Sequence, residues 1–392
     1  MRIVRTAALT AAVALAACLG VTDAGAVDKV FRTEKATVTV KTFARGLDQP
    51  WGLAFLPDGR MLVTEKEGNL RIVSADGKLS DPLRGVPKVD QRGQGGLLDV
   101  ALDPNFAQNR LVYLSFSEPG TGTTNSTAVA RGTLSADGRA LENVQVIFSQ
   151  KPKVPSRMHY GSRLVFDRQG HLYVTLGERS EERYRTQAQD LNSHLGKVVR
   201  INPDGSVPAD NPFVSGPFAN KPGALPEIWS YGHRNMQGAA LNPQTGALGT
   251  NELGPRGGDE INRPEPGRNY GWPVISYGKH YSGAEIGEGA VKEGFEQPLH
   301  YWDPSIAPGA IAVYRGDMFP EWDGDYLVAA LKYNLLARLE RDDSGAVIAE
   351  ERLFQGDYGR MRDVKVAPDG SILILTDSDN GLLLRVTDPA SQ

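Results

Sequence analysis

The chain has 392 residues, with 43 Lys+Arg against 47 Asp+Glu and a formal net charge of -4. A hydrophobic fraction of 40% beside 23% charged residues is ordinary for a chain that buries a core, and it excludes extended disorder. The slightly acidic balance argues against nucleic acid as a partner, because gripping phosphates needs concentrated Lys and Arg.

Arg2 and Arg5 precede an apolar run from Ala7 to Ala17, followed by small residues ending in Ala24-Gly25-Ala26. This layout predicts a secretory signal peptide over residues 1–26, too short to span a bilayer. Two processing routes stay open. Cleavage before Val27 releases a periplasmic or secreted protein, whereas the lipobox-like Leu15-Ala16-Ala17-Cys18 directs lipidation of Cys18. Cys18 is the only cysteine, so the body of the chain holds no disulfide, thiolate metal site or cysteine nucleophile. No later segment approaches the roughly 20 apolar residues of a membrane span.

From residue 27 onward one unit recurs: a short apolar stretch, a Pro/Asp/Gly turn, and a second β-branched or aromatic stretch. It runs from Gly52 to Glu65 around Pro57-Asp58-Gly59, and from Gly96 to Phe116 around Asp103-Pro104-Asn105. It returns from Arg163 to Gly177 around Arg168-Gln169-Gly170, and from Gly238 to Gly254 around Pro243-Gln244-Thr245-Gly246. A weaker copy spans Ile311 to Leu331, and the last spans Asp363 to Asp377 around Pro368-Asp369-Gly370. Such turns between apolar runs are hairpin signals, since Gly supplies the positive φ and Asp caps the turn. Six copies at spacings of about 45 to 75 residues predict an all-β fold, a six-bladed β-propeller of four-stranded antiparallel blades. A sandwich is the alternative. Glu181 to Lys197 has room for a helical turn or two. The long Gly/Pro/Asn-rich inserts near 178–235 and 254–310 are where function is expected, and no linker divides residues 27–392.

Motifs for dinucleotides, phosphate loops, serine nucleophiles and zinc proteases are missing from the sequence. Four other clusters carry chemistry. Gly93-Gln94-Gly95-Gly96 either turns the chain or lets backbone approach a ligand beside one amide. His159, in Arg157-Met158-His159-Tyr160-Gly161, stands just before a strand, with a side chain able to take a proton near neutrality. Arg234-Asn235 offers a fork for carboxylate or carbonyl oxygens. Gly254-Pro255 with Asp259-Glu260 is either a solvated turn or a hard-oxygen set suited to calcium. Lys332, and Arg360 with Arg362 at i, i+2 spacing, suit an anionic planar partner if they share one face.

Taken in order, these motifs resemble the soluble pyrroloquinoline quinone (PQQ)-dependent glucose and aldose sugar dehydrogenases over residues 40–386. The resemblance rests on Gly46-Leu47-Asp48-Gln49-Pro50-Trp51-Gly52, Gly93 to Leu98, His159 with Arg163-Leu164, Gly232-His233-Arg234-Asn235, Gly254-Pro255, Asp259 to Asn262, Asn269 to Pro273, Lys332, and Arg360 to Val364. It implies a six-bladed propeller that oxidises aldose sugars at C1 to aldonolactones with PQQ and Ca²⁺. By the same resemblance, His159 is the general base, and hydride passes to the quinone C5. Arg234 stabilises charge on the adjacent cofactor oxygen. Gln94, His159, Arg234, Asn235, Lys332, Arg360 and Arg362 hold PQQ, Gly254 and Pro255 bind calcium through their carbonyls, and Trp302 faces the sugar. An external electron acceptor, a quinone or cytochrome, is implied, with a monomer or weak dimer. Met158 stands where some glucose dehydrogenases have an Asp, so the acidic helper of His159 is expected to be missing, as in the broader aldose sugar branch. A calcium-dependent lactonase or a non-catalytic binding propeller are the other functions such a scaffold carries.

Overall fold

A computed structural model describes residues 28–391; the expected signal peptide and Cys18 lie outside the described residues. The six repeated units are the two inner strands of six blades. The inner strands are Pro50–Phe55, Leu97–Leu102, Gly161–Phe166, Met236–Leu241, Pro308–Val313 and Met361–Val366, in blades 1 to 6 respectively. Each pairs antiparallel with the next strand in sequence, and each packs beside the inner strands of both neighbouring blades, so the ring closes on itself. The turn glycines expected at positive φ adopt it, with φ of 84° at Gly59 and 82° at Gly370.

Blades 2 to 5 have four strands, blade 1 has three, and blade 6 has five. The difference lies at the seam. Blade 6 takes Met361–Val366, Ile372–Thr376 and Gly381–Thr387 from the end of the chain, then adds Thr37–Leu47 and Lys29–Arg32 from its beginning. Pairing Val40 with Val386 stitches the two ends of the sequence together. That pairing holds the ring of blades shut, and each blade keeps only an outer edge strand.

The core is correspondingly six-fold. Leu62 and Leu97 share a cluster between blades 1 and 2, Val129 and Leu164 between 2 and 3, and Val198 and Met236 between 3 and 4. Ile261 and Ile311 join blades 4 and 5, Leu336 and Ile374 join 5 and 6, and Leu53 and Leu373 join 6 and 1. Burying each such side chain contributes about 1.5–3 kcal/mol, so the wedges between blades dominate stability.

Helix is confined to short pieces. Glu182–Arg185 and Thr186–Ala188 supply the helical turns expected after residue 181. Lys197, fully buried, donates to the carbonyls of Gln187, Ala188 and Leu195 at 2.8, 3.0 and 2.6 Å and pins this insert to blade 3. Among the described residues no helix is long and apolar enough to cross a membrane.

Candidate active site

Loops at the starts of the inner strands converge on one cavity of about 420 Å³ at the propeller axis. Trp51 and Gln237 line it from the inner strands of blades 1 and 4, and Gln94 from the loop before blade 2. Arg360, Arg362 and Asp377 come from blade 6. The i, i+2 spacing of the two arginines does put them together. Arg360 Nη2 and Arg362 Nη2 each lie 2.9 Å from Asp377 Oδ2. The cations hold the Asp377 carboxyl below its usual range, overcoming the upward push of burial. Arg362 also donates to Gln237 Oε1 at 2.8 Å, yet its buried Nε has no partner among the described residues.

His159 does not itself line this cavity but adjoins the lining residue Gln94; its φ of 51° is a left-handed conformation costing on the order of 1 kcal/mol. Its backbone N–H donates to Gln94 Oε1 at 2.8 Å, so the glycine-rich segment and the histidine lock each other. Gly177 must be glycine here, because a Cβ would sit 2.0 Å from the His159 carbonyl oxygen. The imidazole Nδ1 lies 3.0 Å from Glu178 Oε1, and Glu178 is fully buried. The expectation of a missing acidic helper is therefore corrected. Met158 is exposed at the surface, and the carboxylate comes from Glu178, two residues beyond the strand Leu172–Leu176 that pairs with Gly161–Phe166. Burial, and then the charge of Arg234, push the His159 pKa below 6.5, while Glu178 opposes them.

Arg234 and Asn235 close the same corner. Arg234 Nη1 donates to the Leu253 carbonyl at 2.6 Å, and its Nε, 3.9 Å from Glu178 Oε1, lacks a hydrogen-bond partner among the described residues. Asn235 accepts from the Gly161 N–H at 3.1 Å, leaving its buried Nδ2 without one as well. Leu253 is a wall shared by the cavity and a narrow crevice that holds Arg234, Glu252, Gly254 and Glu260. Gly254 is fixed there by its N–H donating to Asp259 Oδ1 at 2.8 Å. Burial, and then the neighbouring Glu252, push Glu260 up to about 8, and the crevice is lined by carboxyl oxygens of Glu252 and Glu260 beside the Gly254 backbone. No group of three or more His, Cys, Asp or Glu among the described residues is arranged as a metal cage.

Two expectations fare differently. Lys332 is exposed at the rim, its Nζ 4.9 Å from the Tyr333 ring centroid, while its neighbour Leu331 lines the cavity. Trp302 does not face the cavity, which corrects the substrate-facing role. It is 4% exposed, fills the wedge between blades 4 and 5, and donates from Nε1 to Glu350 Oε2 at 2.8 Å. Sequence reasoning missed Lys66, Trp51, Gln237 and Asp377 as lining groups. Trp51 stood within a quoted motif, but nothing in spacing marked its ring as a floor.

The six-bladed propeller has arginines in an axial cavity and a buried histidine next to it, and similarity gives its class, the sugar dehydrogenases. The chain belongs to the glucose / sorbosone dehydrogenase family, whose model matches residues 47–385. It is 46% identical to aldose sugar dehydrogenase YliI of Escherichia coli (strain K12) over 356 residues, 90% of this chain and 93% of that protein. The crystal structure of the soluble aldose sugar dehydrogenase of Escherichia coli in its apo-form superposes with a TM-score of 0.85 at 44% identity, covering 89% of this chain and 99% of that one. The PQQ-bound form of the aldose sugar dehydrogenase of Streptomyces coelicolor superposes with a TM-score of 0.72 at 31% identity, covering 90% and 99%.

Proposed function

We propose that this protein oxidises aldose sugars at C1 to aldonolactones, using PQQ with calcium and passing electrons to an external acceptor. The observation that carries the reading is a set of buried donors without partners among the described residues, Arg362 Nε in the axial cavity, Arg234 Nε in the crevice behind Leu253, and Asn235 Nδ2 next to Arg234. Buried donors left unmade cost about 1–3 kcal/mol each, and an anionic acceptor-rich ligand satisfies them. Arg360, Arg362 and Lys66 supply positive charge in the cavity, and Lys332 guards its rim. With Asp377 and Asp379 also in the lining, the three cations leave the cavity a net positive charge and a free Arg362 Nε for an anionic, acceptor-rich ligand. When bound, PQQ supplies the hydride-accepting quinone.

The chain's own residues do the rest. His159, held in tautomer and orientation by Glu178, accepts the sugar C1 hydroxyl proton at Nε2. Its lowered pKa keeps it neutral and ready as a base at pH 7. Arg234 presents a fixed positive charge where negative charge develops, a preorganised arrangement worth a few kcal/mol. The carbonyls of Gly254 and Pro255 are the proposed calcium ligands, in keeping with the hard oxygens of the crevice that Gly254 lines. Residues 1–26 direct export to the periplasm or outside the cell. Titration of the apoprotein with PQQ in the presence of Ca²⁺, followed by absorbance, tests the assignment. Saturable one-to-one binding supports it, and no binding at micromolar concentrations overturns it.

A further inference from the structure

Arg163 is 1% exposed and lies on the propeller axis beneath the cavity. Its Nη1 is 2.9 Å from Asp99 Oδ1 and 3.2 Å from Asp363 Oδ1. Its Nε donates to the Gln237 carbonyl at 3.0 Å, and its Nη2 to the Gly309 carbonyl at 3.4 Å. The guanidinium carbon sits 4.5 Å from the Trp51 ring centroid. Those partners stand on the inner strands of blades 2, 6, 4, 5 and 1, and Arg163 itself is on blade 3. One guanidinium thus touches all six blades. Asp99 Oδ2 accepts from the Leu164 N–H at 2.8 Å and Asp363 Oδ2 from the Leu53 N–H at 3.1 Å, which extends the ties around the ring.

This layer is the floor of the cavity. Trp51 and Gln237, both in contact with Arg163, line the cavity above it. The same two residues meet Arg362, whose Nη1 donates to Gln237 Oε1 at 2.8 Å and whose guanidinium carbon is 6.0 Å from the Trp51 centroid. Arg163 does not line the cavity. A shift of its fork therefore reaches the ligand only through Trp51, Gln237 and Arg362. Charge points the same way: without Arg163, Asp99 and Asp363 become two buried carboxylates beneath an anionic cofactor.

We propose that Arg163 is the positioning residue of the cofactor cavity, fixing the Trp51–Gln237 floor that sets the place of Arg362 and neutralising the two carboxylates below it. The proposal rests on the PQQ reading above. A planar fork with five donors serves this purpose, and a lysine does not, because it offers a point charge without the geometry.

The test compares PQQ dissociation constants at 20 °C for the wild type, Arg163→Lys and Asp99→Asn, alongside thermal unfolding and the sugar KM. Asp99→Asn is isosteric and does not line the cavity, so it decides the matter where Arg163→Lys fails to fold. The expected result is a PQQ Kd raised at least tenfold in Arg163→Lys and lowered about threefold in Asp99→Asn, which takes away one carboxylate beneath the anionic cofactor and leaves the guanidinium charge, with the sugar KM within about twofold of wild type. Folded variants that lose thermal stability but bind PQQ with the wild-type Kd overturn the proposal, because that is the behaviour of a purely structural arginine. Failure of the wild type to bind PQQ contradicts instead the reading on which the proposal rests.

Discussion

His159 Nδ1 and Glu178 Oε1 lie 3.0 Å apart in a pocket from which water is almost excluded, with Arg234 Nε 3.9 Å from the same carboxylate oxygen. The carboxylate thus serves an imidazole and a guanidinium together. Burial and Arg234 lower the His159 pKa and Glu178 raises it, so the acid limb of kcat/KM is expected below pH 6.5. Glu178→Gln removes the opposing charge, and the limb then moves to still lower pH. At the plateau, loss of the carboxylate charge that stabilises the imidazolium, together with a weaker hold on the tautomer, lowers kcat on the order of 10²-fold. A pH–rate profile checks both, and a limb that moves upward would contradict the assignment.

His159→Ala separates chemistry from binding. Only its backbone N–H touches Gln94, so the cofactor cavity keeps its shape. PQQ affinity is expected within a few-fold of wild type while turnover falls by on the order of 10²–10⁴-fold. Unimpaired sugar oxidation by this variant excludes His159 as the base.

Arg360 and Arg362 share Asp377 but not an environment. Arg362 is buried and tied to Gln237, whereas Arg360 is exposed. Electrostatic contacts made away from water are the stronger ones. Arg362→Ala is therefore expected to weaken PQQ binding by about 100-fold or more, and Arg360→Ala by about tenfold or less. The two dissociation constants, measured at one ionic strength, check the order.

Trp302→Phe tests the corrected placement. The variant leaves Glu350 without the indole N–H and opens space in the wedge between blades 4 and 5. Stability is expected to fall by about 1–3 kcal/mol, with the sugar KM unchanged. Denaturant unfolding and a sugar titration read the two parts, and a raised KM with unchanged stability restores the substrate-facing role.

Lys197→Met keeps the side-chain length but strands the carbonyls of Gln187, Ala188 and Leu195. A cost of about 2–4 kcal/mol follows from leaving such buried acceptors unpaired. Urea unfolding checks it; a change below about 0.5 kcal/mol means the insert is not held by this contact.

The ring was legible because each blade repeats a local code. Turns such as Pro57-Asp58-Gly59 and Pro368-Asp369-Gly370 fix a hairpin, and each hairpin became the two inner strands of a blade. The seam was not legible: joining Thr37–Leu47 to Gly381–Thr387 is a long-range pairing with no local signature. Arg360 and Arg362 were found because a strand period of two needs only neighbouring residues. Glu178 was missed since it reaches His159 across a hairpin, where the partner depends on strand register. Trp302 was misread because its strand, His300–Trp302, has three residues inside a long insert, too few to show which face is buried.

The most direct measurement is reconstitution of the apoprotein with PQQ and Ca²⁺, followed by dye reduction with a panel of aldoses. The account predicts sugar oxidation that needs both additions and is lost when EDTA is present during loading. Sugar oxidation that proceeds without PQQ, or lactone hydrolysis in its absence with no sugar oxidation in its presence, contradicts it.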